Sequence, residues 1–210
     1  NLCNYMNFAF QSGGLVMWPL LISSIISMAC IFERCLYWRS INWHNRYTTQ
    51  KILRIYSEDV NNLKPFLVKN PNCPLSFVLL NSIEYEKGTS ENFHLALSSS
   101  IQAVIPKLTR FNDLFSTIIT VSPLLGLLGT ILGLIKSFSL LDLGQSNVNS
   151  QGVTSGISEA LVTTAAGLII AIITLLFANF FKSLYKNQLN IIEEYAVKIE
   201  LIRSQNMIKK

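Results

Sequence analysis

Charge is scarce in this chain of 210 residues: Asp, Glu, Lys and Arg make up 14% of it and apolar residues 50%. Soluble domains carry about a quarter charged residues, so an ordinary soluble domain is excluded. The charge that remains is still too much for a bare bundle of membrane spans. Cysteine occurs four times, as Cys3, Cys30, Cys35 and Cys73, but never as a CxxC pair, and His44 and His94 stand alone. Metal ligands come clustered at fixed spacings, so no metal site is expected. There is no glycine-rich loop ahead of a lysine, no HExxH and no nucleophile elbow. The enzyme classes those motifs mark are without support, and no cofactor is expected. Basic residues are missing from 1–13 and from 142–156.

What the chain has instead is three apolar stretches, at 14–32, 114–141 and 157–181. The shortest, 14–32, would measure about 28 Å as a helix, close to the thickness of a bilayer core. It lacks a basic start and ends in Glu33-Arg34, so it reads as a span rather than a signal peptide. Trp18 near one end and Tyr37, Trp38 and Trp43 beyond the other suit the two interfaces of a bilayer. The expected fold is all-α: three transmembrane helices that extend into a helical domain in water.

Lys and Arg concentrate in 33–113 and in the tail 182–210. The positive-inside rule places both on the cytoplasmic side, with 1–13 and 142–156 on the other. Membrane topology thus accounts for the basic residues, and no nucleic-acid partner is expected. Within 33–113 the pattern predicts a helix running on from the first span to about Leu63, broken by Lys64-Pro65 and by Pro71 and Pro74. A second helix is predicted over 75–87. A third starts near Ser90, with Glu91 in its first turn, and runs towards the second span with a kink at Pro106. In the tail, Leu189, Ile192, Ala196, Ile199 and Ile202 keep helical spacing. The third span should therefore continue unbroken and pack on the helices of the loop.

The spans carry few polar groups. The second holds Thr117, Thr120, Thr130, Lys136 and Ser137; the third holds Glu159, Thr163, Thr164, Thr174 and Asn179. Gly126, Gly129 and Gly133, with Thr163, Gly167 and Ala171, give both helices closely spaced small positions, which let backbones approach in a membrane. Threonines in helices commonly bond the carbonyl four residues back, so packing is the plain reading of each. Lys136 and Glu159 sit at similar depth on adjacent spans. Either they pair, or Lys136 snorkels outward while Glu159 lies near a helix N-terminus. No Asp or Glu lies near the centre of any span. A proton relay needs a titratable group there, so a conducting complex must take its acid from another subunit.

These residues together resemble the MotA/TolQ/ExbB proton channel family, ExbB most of all. The opening Gly13-Gly14 through Pro19, with Glu33-Arg34 closing the span, is similar to the family's first signature. Ser122-Pro123 through Gly126, Gly129, Thr130 and Gly133 is similar to its second-span motif. Glu159-Ala-Leu followed by Thr164, Gly167 and Leu168 is similar to its third. The resemblance implies an inner-membrane ring, pentameric in the family, around a single-span partner of ExbD/TolR type whose transmembrane Asp carries the proton. It implies that Thr130 and Thr164 face that Asp and that Glu159 lies near the outer end of the path; Thr163, beside Thr164, is a further candidate for the lining. It further implies coupling to an energy-transducing protein of TonB/TolA type. Lys136 departs from the family, where a neutral residue is expected. The alternatives are a stator for gliding or flagellar-like motion and a membrane scaffold that conducts nothing.

Overall fold

The computed structural model describes residues 15–58, 62–142 and 150–208, without the side chains of 42–46, 140–142, 150–151 and 208. Trp43, His44, Cys3 and most of the 142–156 connection therefore lie outside the described residues or side chains. The described chain is helical throughout, with no strand: α1 (Met17–Glu58), α2 (Leu63–Lys69), α3 (Pro74–Ser82), a 3-10 turn (Ile83–Tyr85), α4 (Ser90–Leu108), α5 (Asn112–Asp142) and α6 (Ser150–Ile208). Three stretches are long and apolar enough to cross a membrane; they fall within Met17–Ile41, Ser90–Ser139 and Gly152–Met207.

The helices form two compact units, residues 15–32 with 111–179 and residues 33–110 with 180–208. They differ most in what they show. In the first unit the interior mixes small and hydroxyl side chains, Ser27, Ser122, Ser137, Ala160, Thr163 and Thr174, with larger apolar ones such as Leu20, Ile31 and Phe115. Its surface is large and apolar, with Leu124, Leu127, Ile135, Leu161, Ile169 and Leu176 exposed. Lipid is as apolar as leucine, so helices there gain from close backbone contact and hydrogen bonds rather than from hiding leucine. In the second unit Ile52, Leu63, Leu75, Leu79, Leu97, Ile192 and Ile199 are buried, while Lys51, Arg54, Lys64, Glu91 and Lys198 are exposed. That is the order water imposes.

Local chemistry sets the helix ends. α1 is described as far as Glu58, and 59–61, just before the expected end at about Leu63, lie outside the described residues. Lys64-Pro65 breaks nothing, because it lies in the first turn of α2, where a proline costs no hydrogen bond. Pro74 opens α3 in the same way, and that helix ends at Ser82 rather than running on to 87. Thr89 caps α4 by accepting from the Asn92 N–H at 3.2 Å, with Glu91 in the first turn, as the Ser90-Glu91 pattern predicted. Pro106 does not kink a continuous helix. α4 ends two residues later at Leu108, and the chain turns through Phe111, whose φ is 68°, before α5 begins.

Two buried arginines tie the second unit together. Arg34, 2% exposed, donates from Nη1 and Nη2 to the Lys107 carbonyl at 3.3 Å each. A cation at the C-terminal end of α4 meets carbonyls that have no partner within the helix. Glu33 lies 3.4 Å from Arg34 Nε and 3.5 Å from Arg110 Nη1, so the Glu33-Arg34 dipeptide grips both sides of the α4 terminus. Arg203 from α6 donates to the Glu86 carbonyl at 2.8 Å and the Gly88 carbonyl at 2.6 Å, and its guanidinium lies over the Phe93 ring. His94 Nδ1 lies 3.1 Å from Glu200. α6 is one helix from Ser150 to Ile208, and its lower part packs on the loop helices as the tail spacing predicted.

Candidate functional site

In the first unit α5 and α6 meet along a seam with almost no room in it. A Cβ added at Gly126 would lie 3.0 Å from Thr164 Cα, one at Gly133 2.8 Å from Ala160 Cβ, and one at Gly167 2.5 Å from the Ser122 carbonyl oxygen. At Gly129 an added Cβ would clash with Thr163 Oγ1 and Cβ, and at Gly156 with Ser137 Oγ. At Gly126, Gly133 and Gly167 the close neighbours include backbone atoms of the other helix, whereas at Gly129 and Gly156 the nearest are the side chains of Thr163 and Ser137. Ala171 is buried farther along the same helix. α1 joins through a buried hydroxyl pair, Ser27 Oγ to Thr174 Oγ1 at 2.7 Å.

The threonines do not share one environment. Thr163 is 1% exposed and donates to the Ala160 carbonyl of its own helix at 2.7 Å, inside the seam against Gly129. Thr164 is half-buried at the seam's edge and donates across it to the Gly126 carbonyl at 2.8 Å. Thr130 is half-buried and donates to the Leu127 carbonyl at 2.6 Å. A hydroxyl has one proton to give and two lone pairs to receive with. With their protons on carbonyls, Thr130 and Thr164 keep only the capacity to accept.

Lys136 Nζ and Glu159 Oε2 are 3.0 Å apart, the lysine side chain 64% exposed and the glutamate 17%. They pair across the seam, and they do so on its other edge. At about 100° per residue, Glu159 and Thr164 are separated by about 140° around α6, and Lys136 and Thr130 by about 120° around α5. The glycines, Ala160 and Thr163 fall between them. The pair borders a cavity of about 270 Å³ that Leu15, Val16, Gly129, Leu132 and Gly133 also line, and Val16 stands immediately before α1. One edge of the seam thus carries an ion pair and faces the start of α1; the opposite edge carries Thr130 and Thr164.

The sequence profile of the MotA/TolQ/ExbB proton channel family matches residues 70–194. The ExbB-like 3 protein of Synechocystis sp. is 47% identical over 193 residues, covering 91% of this chain and 92% of that protein. The biopolymer transport protein ExbB of Salmonella typhimurium is 25% identical over 206 residues, covering 91% and 82%. The Tol-Pal system protein TolQ of Haemophilus influenzae is 33% identical over 103 residues, covering 49% of this chain and 40% of that protein. The chain belongs to the MotA/TolQ/ExbB proton channel family.

As an ExbB/TolQ-type chain it is a membrane protein related to biopolymer-transport and Tol-Pal proteins. Its seam uses Gly126, Gly129, Gly133 and Gly167, which stand out in the sequence. It also uses Gly156, which the sequence reading left in the 142–156 connection. α6 begins at Ser150 instead, and a stripe at Gly156, Ala160, Thr163 and Gly167 was the available signal. The Ser27–Thr174 bond had no signal, because nothing in a sequence pairs two hydroxyls 147 residues apart. Among the described residues no cluster of His, Cys, Asp and Glu could hold a metal ion.

Proposed function

We propose that this chain is the ring-forming subunit of a proton-driven motor in the inner membrane. Its α5–α6 edge bearing Thr130 and Thr164 lines a path completed by a single-span partner of ExbD/TolR type. The partner's transmembrane Asp carries the proton, and its movement is passed to an energy-transducing protein of TonB/TolA type. Residues 1–13 and 142–156 lie on the periplasmic side, and 33–113 and 182–210 in the cytoplasm. The arrangement of basic residues and the watery character of the second unit support this orientation.

The observation that carries the reading is the position and state of the two hydroxyls. They share one edge, away from the start of α1, so a ring with α1 outermost turns them inward. Each gives its proton to a carbonyl and can only accept. Such a group suits a protonated carboxylic acid, which has a proton to donate, better than a carboxylate, which has none. The hydroxyls would receive the partner's acid in its neutral form, the form that crosses a dry path at least cost. Thr163 is spent on packing and is left out of the path.

The test is proximity. Cysteine at Thr164 should crosslink to a cysteine beside the partner's Asp in the assembled complex. Cysteine at Ile25, an exposed position on α1, should not. Crosslinking at Ile25 in preference to Thr164 would put the partner on the wrong side of the ring.

A further inference from the structure

The resemblance assigns Glu159 to the proton path; the geometry points elsewhere. We infer that Lys136 and Glu159 form a clasp on the α1 side of the α5–α6 seam, and that Lys136, by holding the carboxylate there, keeps Glu159 out of the proton path. The inference rests on the proton-path reading given above.

Three observations carry it. The carboxylate is already engaged, 3.0 Å from an ammonium. Both side chains border the cavity lined by Leu15 and Val16, on the seam edge opposite Thr130 and Thr164. Between the two edges the seam is filled, and at Gly126, Gly129 and Gly133 even a methyl group has no room. The pair also accounts for the lysine itself. A lone ammonium in a span is costly, whereas this one has a mostly buried carboxylate partner at 3.0 Å. The clasp fastens α5 to α6 at one end of the seam, beside the bond that Ser137 Oγ donates to the Val153 carbonyl at 3.3 Å.

The test uses the chain assembled with its partner, in thermal unfolding and in proton flux after reconstitution. Lys136→Met and Glu159→Gln should each lower the unfolding temperature, and the two together should lower it less than the sum, because each single change strands a charge. The exchanged pair, Lys136→Glu with Glu159→Lys, should recover part of the loss. Flux in the Lys136→Met/Glu159→Gln double variant should stay within about twofold of wild type once the assembled fraction is matched. Additive losses in unfolding temperature with no recovery on exchange would show that there is no clasp. A correctly assembled double variant with flux abolished would put Glu159 back in the path. Unfolding measures the clasp whether or not the complex conducts. Failure of the wild-type complex to conduct would count against the proposed function, leaving the clasp to stand or fall on the cycle.

Discussion

A threonine in a span can be glue or a receiver, and the three at the α5–α6 seam divide between those roles. Thr163 is glue: its methyl and hydroxyl fill the space left by Gly129. Thr164 does both, tying α6 to the Gly126 carbonyl and keeping lone pairs at the seam's edge. Thr164→Val preserves the shape and removes the oxygen. The interhelical bond it loses is worth on the order of 0.6 kcal/mol in a membrane, so assembly should survive. Loss of a neutral hydrogen bond to the migrating acid, about 1 kcal/mol, corresponds to a roughly fivefold drop in flux. Flux assays on rings matched by native mass spectrometry check this. Unchanged flux in a Thr130→Val/Thr164→Val double variant would make both residues packing groups.

At the scale of helices the seam is the most exacting element. Gly129→Leu drives four carbons into Thr163, and overpacking of this kind costs about 1–3 kcal/mol or more where the backbone cannot yield. Here the neighbour is a second helix with its own glycines in contact, so the expected outcome is loss of the oligomer, read by native mass spectrometry. An intact ring from Gly129→Leu would contradict the account of the seam. Much of this element was legible in advance. Three spans, their glycines and the unbroken run of α6 into a tail helix all follow from periodicity and small-residue spacing. What failed was part of the punctuation. The expected break at Pro71 and Pro74 is present, between the end of α2 at Lys69 and the start of α3 at Pro74, whereas Pro65, expected to break a helix, lies in the first turn of α2. The end of α4 was read as a kink at Pro106. The deciding features are a positive φ at Phe111 and Arg34 on the Lys107 carbonyl, a contact between residues 73 apart in the chain. The candidate site was legible as a set of residues and not as an arrangement. The sequence put Lys136, Glu159, Thr130 and Thr164 in the right helices, but only the pairing of those helices shows that they occupy two opposite edges.

For the whole molecule, the contrast between the two units is a statement about solvent. One shows leucine and isoleucine and keeps most of its polar groups inside or paired; the other buries a leucine and isoleucine core and shows charge. A single chain adopts both patterns only where it passes from lipid to water, which is what a membrane protein with a large aqueous part requires. Across the spans of this chain no carboxylate stands near the centre, and the one acid present, Glu159, is paired near an end. The proposed function therefore makes one central claim: that a ring of this chain lines the path and that the titrating acid comes from a partner. The most direct measurement is proton flux, driven by a pH step across liposome membranes, through the purified oligomer alone and through its complex with the single-span partner. The account predicts flux from the complex, loss of that flux when the partner's transmembrane Asp is changed to Asn, and no flux from the oligomer alone. Robust flux from the oligomer without its partner would contradict it.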